Sequence, residues 1–395
     1  MKYCVLIMDG AAGLPIPDYR DMTSLEIART PNLDKMAKNG IVGLARMVPE
    51  GMEPDSAVAC MSIFGYDPKV YYKGRAPIEA VSLNIPINPG DVLFRCNLVT
   101  VQDGVMVSHS AGSISTAEAN ELTDSLNKTL GNEHVHIYPG VSYRSIMKLR
   151  GMEETTKAIS TPPHDIPGKP AKDYLPKGTG SKLLLELMSD SEKVLKDHPV
   201  NKRRIARGEL PATNIWLFWG SSGIPTMPRF QDMYRRTAAV TSGVSLLQGL
   251  GKMSDMAVLN IKGVTDGLDN DYAQQAKGAL DSLKQYDIVI IHIEAPDEAG
   301  HAGSVKEKVT AIEKIDEMVA KQIGEQSADL KVLVTADHPT PISVRTHTSE
   351  PVPFLMYGAG FSPNGAGRLT ESEAKRTGLV VNPGCNIMRK LIGDQ

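Results

Sequence analysis

Residues 3–10 read YCVLIMDG, six apolar or aromatic side chains in a row cut short by Asp9 and Gly10. A run with no polar alternate has no face to turn to water, so it reads as a short strand buried on both sides of a sheet. The same pattern returns at Ile215–Trp219, Ala257–Ile261, Ile288–Ile293 and Lys331–Thr335. Amphipathic stretches lie between these runs, at Thr30–Asn39, Gly243–Gly251, Tyr272–Gln285 and Ser304–Gln322. In the last, Val305, Val309, Ile312, Ile315 and Val319 recur at helical spacing among Lys and Glu. Buried strands alternating with helices predict an α/β fold, a mostly parallel sheet covered by helices on both faces. Ligands of such sheets gather beyond the carboxyl ends of the strands.

The middle of the chain reads differently. Between Asn88 and Gly208 the strands alternate (Leu93–Val101, Gly104–Val107), and Pro-rich turns and the helix Ser181–Lys196 follow. This block is expected to be an inserted α+β domain, 88–208, splitting a core made of 1–87 and 209–395. The basic run at 201–207, NKRRIAR, reads as a solvated helix face.

Composition narrows the field further. At about 150 residues per domain, 395 residues suggest roughly two domains. Lys plus Arg is 43 against 46 Asp plus Glu, a net charge of −3, so no global basic field exists to attract nucleic acid. Four scattered cysteines (Cys4, Cys60, Cys96, Cys385) form no CxxC pair, and no stretch approaches the roughly 20 apolar residues of a membrane span. A cytoplasmic protein with reduced thiols is expected, with no nucleic-acid or membrane partner.

Three segments carry metal-ligand chemistry. Residues 291–301, IHIEAPDEAGH, end a strand with Asp297 and His301 one helical turn apart, able to grip one ion. Residues 332–341, VLVTADHPTP, end another strand with adjacent Asp337 and His338, and His347 precedes the Pro-stiffened run up to Phe354. Mixed imidazole and carboxylate sets suit zinc or manganese better than calcium. One such site would be an ordinary turn or cap; three at successive strand ends, with Asp9 at a fourth, point to metal. In residues 53–62, EPDSAVACMS, Ser56 is a candidate nucleophile. A free serine needs activation, and metal coordination is the economical means where no Ser-His-Asp pattern is evident. The plainer reading makes Ser56 the N-cap of an apolar helix, and a helix start would itself favour an anionic phosphoester. His134, His136 and His292 read as structural.

Longer stretches support a family resemblance. They are Asp9-Gly10, ARTPNLD at 28–34, SIFGYDP at 62–68, YYKGR at 71–75, FRCNLV at 94–99, YPGVSYR at 138–144, TPPHD at 161–165 and HPVN at 198–201, followed by the three metal-type segments. In this order, over essentially the whole chain, the sequence resembles the archaeal-type cofactor-independent phosphoglycerate mutases of the alkaline phosphatase superfamily. The resemblance implies an alkaline-phosphatase-like core with an inserted lid that closes over the site and excludes water. It implies interconversion of 3-phosphoglycerate and 2-phosphoglycerate through a phosphoserine at Ser56. It also implies two divalent metals, manganese first, with magnesium, cobalt or zinc as alternatives. Asp9, Ser56, Asp337 and His338 would hold one; Asp297, His301 and His347 would hold the other. Arg75, Arg95, His109, Arg144 and His164 are the candidates for gripping phosphate and carboxylate, a task to which the arginine fork is suited.

One triplet departs from the family pattern. Relatives commonly carry Gly-Ser-Asp around the nucleophile, whereas residues 55–57 are Asp-Ser-Ala, as in hydrolytic alkaline phosphatases. Three alternatives follow: a homoserine kinase-like phosphotransferase, a phosphomonoesterase, and a metal-stabilised binding protein without turnover. The last has no need of a nucleophile such as Ser56.

Overall fold

The computed structural model describes residues 1–223, 226–326 and 330–393. The chain divides into two compact units, one of residues 1–72 with 226–395 and the other of residues 73–225.

The first unit is built on an eight-stranded sheet among the described residues. Its order is Val380–Val381, Ile41–Ala45, Val352–Tyr357, Leu330–Thr335, Lys2–Met8, Ile288–Ile293, Ala238–Thr241, Ala257–Val258. Strand Val352–Tyr357 runs antiparallel to both its neighbours; the other pairings are parallel. Every residue of Cys4–Met8 is fully buried. Successive side chains point to opposite faces, so both faces of this central strand are covered, as the unbroken apolar run predicts. At ~25 cal/mol per Å², such strands carry much of the folding free energy.

Register then does the work of bringing the site together. Lys2–Met8 pairs with Ile288–Ile293 so that Met8 lies opposite Ile293, and with Leu330–Thr335 so that Ile7 lies opposite Thr335. Asp9, Glu294 and Asp337 therefore leave three adjacent parallel strands at nearly one level, and the Asp9 N–H donates to Ile293 O at 3.0 Å.

The helices are close to those expected, with differences at their ends. They run Pro31–Lys38, Ser245–Met253 and Tyr272–Ser282. The long amphipathic stretch forms Val305–Ile315, one π turn at Asp316–Ala320, and Lys321–Glu325. Asp316 in that turn accepts from the N–H groups of Asn32 (3.2 Å) and Leu33 (2.8 Å), capping the helix that starts at Pro31.

The second unit holds an antiparallel sheet: Val105–Ser108, Asp91–Gln102, Arg144–Arg150 and Val135–Pro139, with Asn214–Ser222 on the other edge of Asp91–Gln102. Two expectations need correction here. Ile215–Trp219 belongs to this antiparallel sheet and not to the parallel core. Its apolar run reflects burial of its own, since helices Ser181–Leu195 and Arg75–Ser82 both pack on it. The insertion is also wider than 88–208. Helix Arg75–Ser82 belongs to it because Ala76 and Ala80 pack with Leu93 and Ile146. Strand Asn214–Ser222 belongs to it because it pairs along Asp91–Gln102. In the basic run, Arg204 is buried against Glu118 (2.7 Å), while Arg203 stays solvated.

Candidate active site

The strand ends of the first unit converge on one cluster. Helix Ala295–Ala302 starts directly after strand Ile288–Ile293, and its turn sets His301 Nε2 3.1 Å from Asp297 Oδ2. His347 Nε2 lies 3.0 Å from His301 Nε2 and 3.6 Å from Asp297 Oδ1. Beside them, His338 Nε2 is 3.2 Å from Asp337 Oδ2 and 3.6 Å from Asp9 Oδ1. The His338 and His347 rings stack at 3.9 Å, so the two sets adjoin. Among the described residues, Asp297, His338 and His347 can share one cation, as can Asp9, Asp337 and His338.

The histidines are aimed by their outer nitrogens. His301 Nδ1 faces Arg345 O at 3.0 Å, and His347 Nδ1 faces Pro54 O at 3.3 Å. A carbonyl only accepts, so each Nδ1 carries the proton and each Nε2 keeps its lone pair for the interior, the usual arrangement of metal-ligating imidazoles. Two such lone pairs 3.0 Å apart need a proton or a cation between them. The carboxylates make the same demand. Burial, then the charges of Asp337 and Asp297, hold Asp9 well above the usual carboxylate range. Burial also pushes Asp297 up, but His301 and His347 bring it well below that range, and Asp297 raises His301 to about 9. Asp9 Oδ1 is buried without a hydrogen-bond partner. Acidic oxygens, inward Nε2 atoms and an orphaned carboxylate oxygen fit divalent metal.

Ser56 sits in this cluster, buried, with Oγ 3.2 Å from His338 Nε2. The N-cap of helix Ser56–Ile63 is not Ser56, as the plainer sequence reading had it, but Asp55, whose side chain accepts from Ala57 N at 2.7 Å. Capping by Asp55 leaves the Ser56 hydroxyl free to face the histidine. Gly10 is required nearby: its φ is +59°, and a Cβ there would lie 2.7 Å from Asp297 Cα and Thr340 Oγ1.

Three residues of this cluster escaped the sequence reading as site residues. His292 is a satisfied core histidine, bonded to Ser242 Oγ at 2.9 Å, yet its Nε2 also holds Asp9 Oδ2 at 2.7 Å. Glu294 lies three residues before Asp297 at the same strand end, and burial, then Asp9, raises its carboxyl well above the ordinary range. Thr340, two residues after His338, bonds Asp297 Oδ1. Their place at the strand ends was the available signal.

The five anion-gripping candidates gather separately in the second unit. Glu79 accepts from Arg75 Nε at 3.0 Å through one oxygen and from Arg95 Nε at 3.1 Å through the other. Arg95 is buried and lies over the rings of Phe218 (5.1 Å) and Trp219 (5.5 Å). His164 packs on the same two rings, at 6.1 and 5.7 Å, and His109 is 6.4 Å from His164. Arg144 covers Tyr143, which also meets His109. Desolvation against these rings, aided by Arg95, His109 and Arg75 and opposed by Asp165, pushes His164 down to about 4. The sequence reading passed over Glu79, Tyr143 and Trp219; only the spacing of Glu79 four residues after Arg75 signalled a partner.

Fold and cluster together define a class: an α/β protein whose parallel strand ends gather acidic and imidazole groups able to hold divalent metal. Residues 37–201 match the family model described as 2,3-bisphosphoglycerate-independent phosphoglycerate mutase, and the protein of that name from Methanothrix thermoacetophila is 45% identical over 396 residues, 99% of this chain and 100% of its own. The chain belongs to the 2,3-bisphosphoglycerate-independent phosphoglycerate mutase family, of the archaeal type, and is an enzyme of that class. The Methanosarcina acetivorans relative is 44% identical over 387 residues, 96% of this chain and 97% of its own. Among solved structures, a protein from Pyrococcus horikoshii superposes with a TM-score of 0.84 at 27% identity, covering 100% of this chain and 98% of its own. The cofactor-independent phosphoglycerate mutase of Thermoplasma acidophilum superposes with a TM-score of 0.66, also at 27% identity, covering 100% and 99%. Among the described residues no helix is long and apolar enough to cross a membrane.

Proposed function

We propose that the chain interconverts 3-phosphoglycerate and 2-phosphoglycerate through a phosphoserine at Ser56. The observation that carries this reading is the buried Ser56 Oγ, 3.2 Å from His338 Nε2 at the start of a helix and within the ligand cluster. Asp9, Ser56, Asp337 and His338 would hold one divalent ion and Asp297, His301 and His347 the other, manganese being the first choice. When bound, such a pair supplies charge that polarises phosphate oxygens and lowers the pKa of a coordinated hydroxyl.

The protein's own groups do the rest. Ser56 gives up its hydroxyl proton as Oγ attacks phosphorus; the Ser–O–P bond forms as the substrate P–O bond breaks, and the departing glycerate oxygen takes up a proton, so the step gains and loses none overall. The N–H groups at the start of helix Ser56–Ile63 favour the phosphate charge. Arg75, Arg95, His109, Arg144 and His164 hold the glycerate while its neighbouring hydroxyl replaces the first. That hydroxyl then attacks the phosphoserine, restoring Ser56. The four cysteines are all free thiols, which supports a cytoplasmic setting.

The test is one assay: protein with Mn²⁺ and 3-phosphoglycerate, following 2-phosphoglycerate and inorganic phosphate together. Isomerisation well in excess of phosphate release is expected, with label retained on Ser56 and turnover abolished in Ser56→Ala. An alanine variant keeping more than a few per cent of activity would refute the covalent route. Dominant phosphate release by the parent would instead make the Asp55-Ser56-Ala57 triplet that of a phosphatase. Ready transfer from a nucleotide to homoserine without isomerisation would make it a kinase.

A further inference from the structure

Thr340 is fully buried and touches both ligand sets at once. Its Oγ1 bonds Asp297 Oδ1 on one side and lies 3.3 Å from His338 Nδ1 on the other. His338 turns Nε2 toward Asp9, Asp337 and Ser56. Thr340 Oγ1 gives its one proton to Asp297, so toward His338 it can only accept, and the imidazole proton facing it sits on Nδ1. Hydrogen bonding therefore runs in one direction, His338 to Thr340 to Asp297.

The backbone of Thr340 is fixed as firmly as its hydroxyl. Its N–H donates to Ala12 O at 3.1 Å, and its carbonyl accepts from Lys308 Nζ at 2.7 Å. The same ammonium donates to Ala12 O at 3.1 Å. Lys308 is fully buried, an expensive place for a lysine, and its ammonium is held by these two carbonyls. Two glycines make room: a Cβ on Gly10 would lie 2.7 Å from Thr340 Oγ1, and one on Gly300 would lie 2.7 Å from Thr340 O.

We propose that Thr340, pinned by Lys308, is a positioning residue that couples the two metal sites by setting the tautomer of His338 and the orientation of Asp297 together. A cation drawn to Asp297, His301 and His347 orients Asp297, which fixes the threonine hydroxyl. That in turn leaves the His338 Nε2 lone pair ready for the second cation, and by linkage the reverse holds equally. The proposal rests on the two-metal reading of the site.

The test is Co²⁺ titration of the metal-stripped protein, read by calorimetry and by the visible d–d absorbance, in the parent, Thr340→Val and Thr340→Ser. The parent should bind two ions, the first favouring the second. Thr340→Val, the same shape without the hydroxyl, should lose that cooperativity and weaken at least one site by about 10–100-fold, with a changed absorbance. Thr340→Ser should restore both. Two sites of unchanged affinity and spectrum in Thr340→Val, or no rescue by Ser, would overturn the coupling while leaving the metal reading standing. A parent that binds no cobalt would overturn both. Should the valine variant not fold, the parent itself decides: nitrogen NMR of the metal-loaded protein must show His338 protonated at Nδ1, and the Nε2–H tautomer would refute the proposal.

Discussion

Replacing Glu79 by Gln tests the proposed anion-gripping cluster at its least visible member. Glu79 has 12% of its side chain exposed and Arg95 has 9%, so theirs is a nearly buried ion pair, whereas Arg75 at 23% is partly solvated. Losing one partner of a buried pair leaves the other charge uncompensated, at a cost of about 3–5 kcal/mol. The more exposed Arg75 contact adds no more than about 1 kcal/mol. Gln keeps the shape but turns an amide N–H₂ toward one guanidinium, so a loss of about 3 kcal/mol is expected. With a urea slope of about 1–3 kcal/mol per molar, that lowers the unfolding midpoint by about 1 M or more. The probe is built in: Trp216 and Trp219, the two tryptophans of the chain, both lie in the second unit, and Trp219 packs against Arg95. Adding Arg95→Leu to the Gln variant removes the stranded charge and should recover about 2 kcal/mol, a coupling within the range found for contacting residues. A midpoint moved by less than about 0.2 M in the single variant would show that Arg95 is not held by this carboxylate.

Two further outcomes are expected of the same protein. Chelation should lower the calorimetric melting temperature, because a ligand present at about 100 times its Kd contributes about 2.7 kcal/mol and its loss leaves Asp9, Asp297 and Asp337 facing one another; equal melting with and without Mn²⁺ would contradict metal binding. His164 should titrate near 4 in the folded protein against about 6.5 when unfolded. The unfolded chain then binds a proton that the folded one does not, so stability falls as pH drops from about 6.5 to 4, and His164→Gln should flatten that slope. An imidazole NMR midpoint of about 6 or above would refute it.

Much of this protein is determined within short stretches of sequence. Cys4–Met8 and Ile288–Ile293 announce themselves as strands buried on both faces because local hydrophobicity is all that such strands require. Asp297 and His301 share a face because a helical turn is a local fact, and Asp337 and His338 need only follow a strand. Apolar runs carry no record of their partners, however, so Ile215–Trp219 could not be assigned to the antiparallel sheet before its pairing with Asp91–Gln102 was seen. Asp55, not Ser56, caps helix Ser56–Ile63 because the choice between adjacent cap formers is made by backbone geometry. What only tertiary structure decided is which polar side chains meet across long separations. Glu79 holding both arginines depends on packing, since Arg75 is its helical neighbour but Arg95 comes from a strand. Thr340 joining His338 to Asp297 depends on strand register, which brings separate strand ends to one level and leaves a hydroxyl where two ligands can share it.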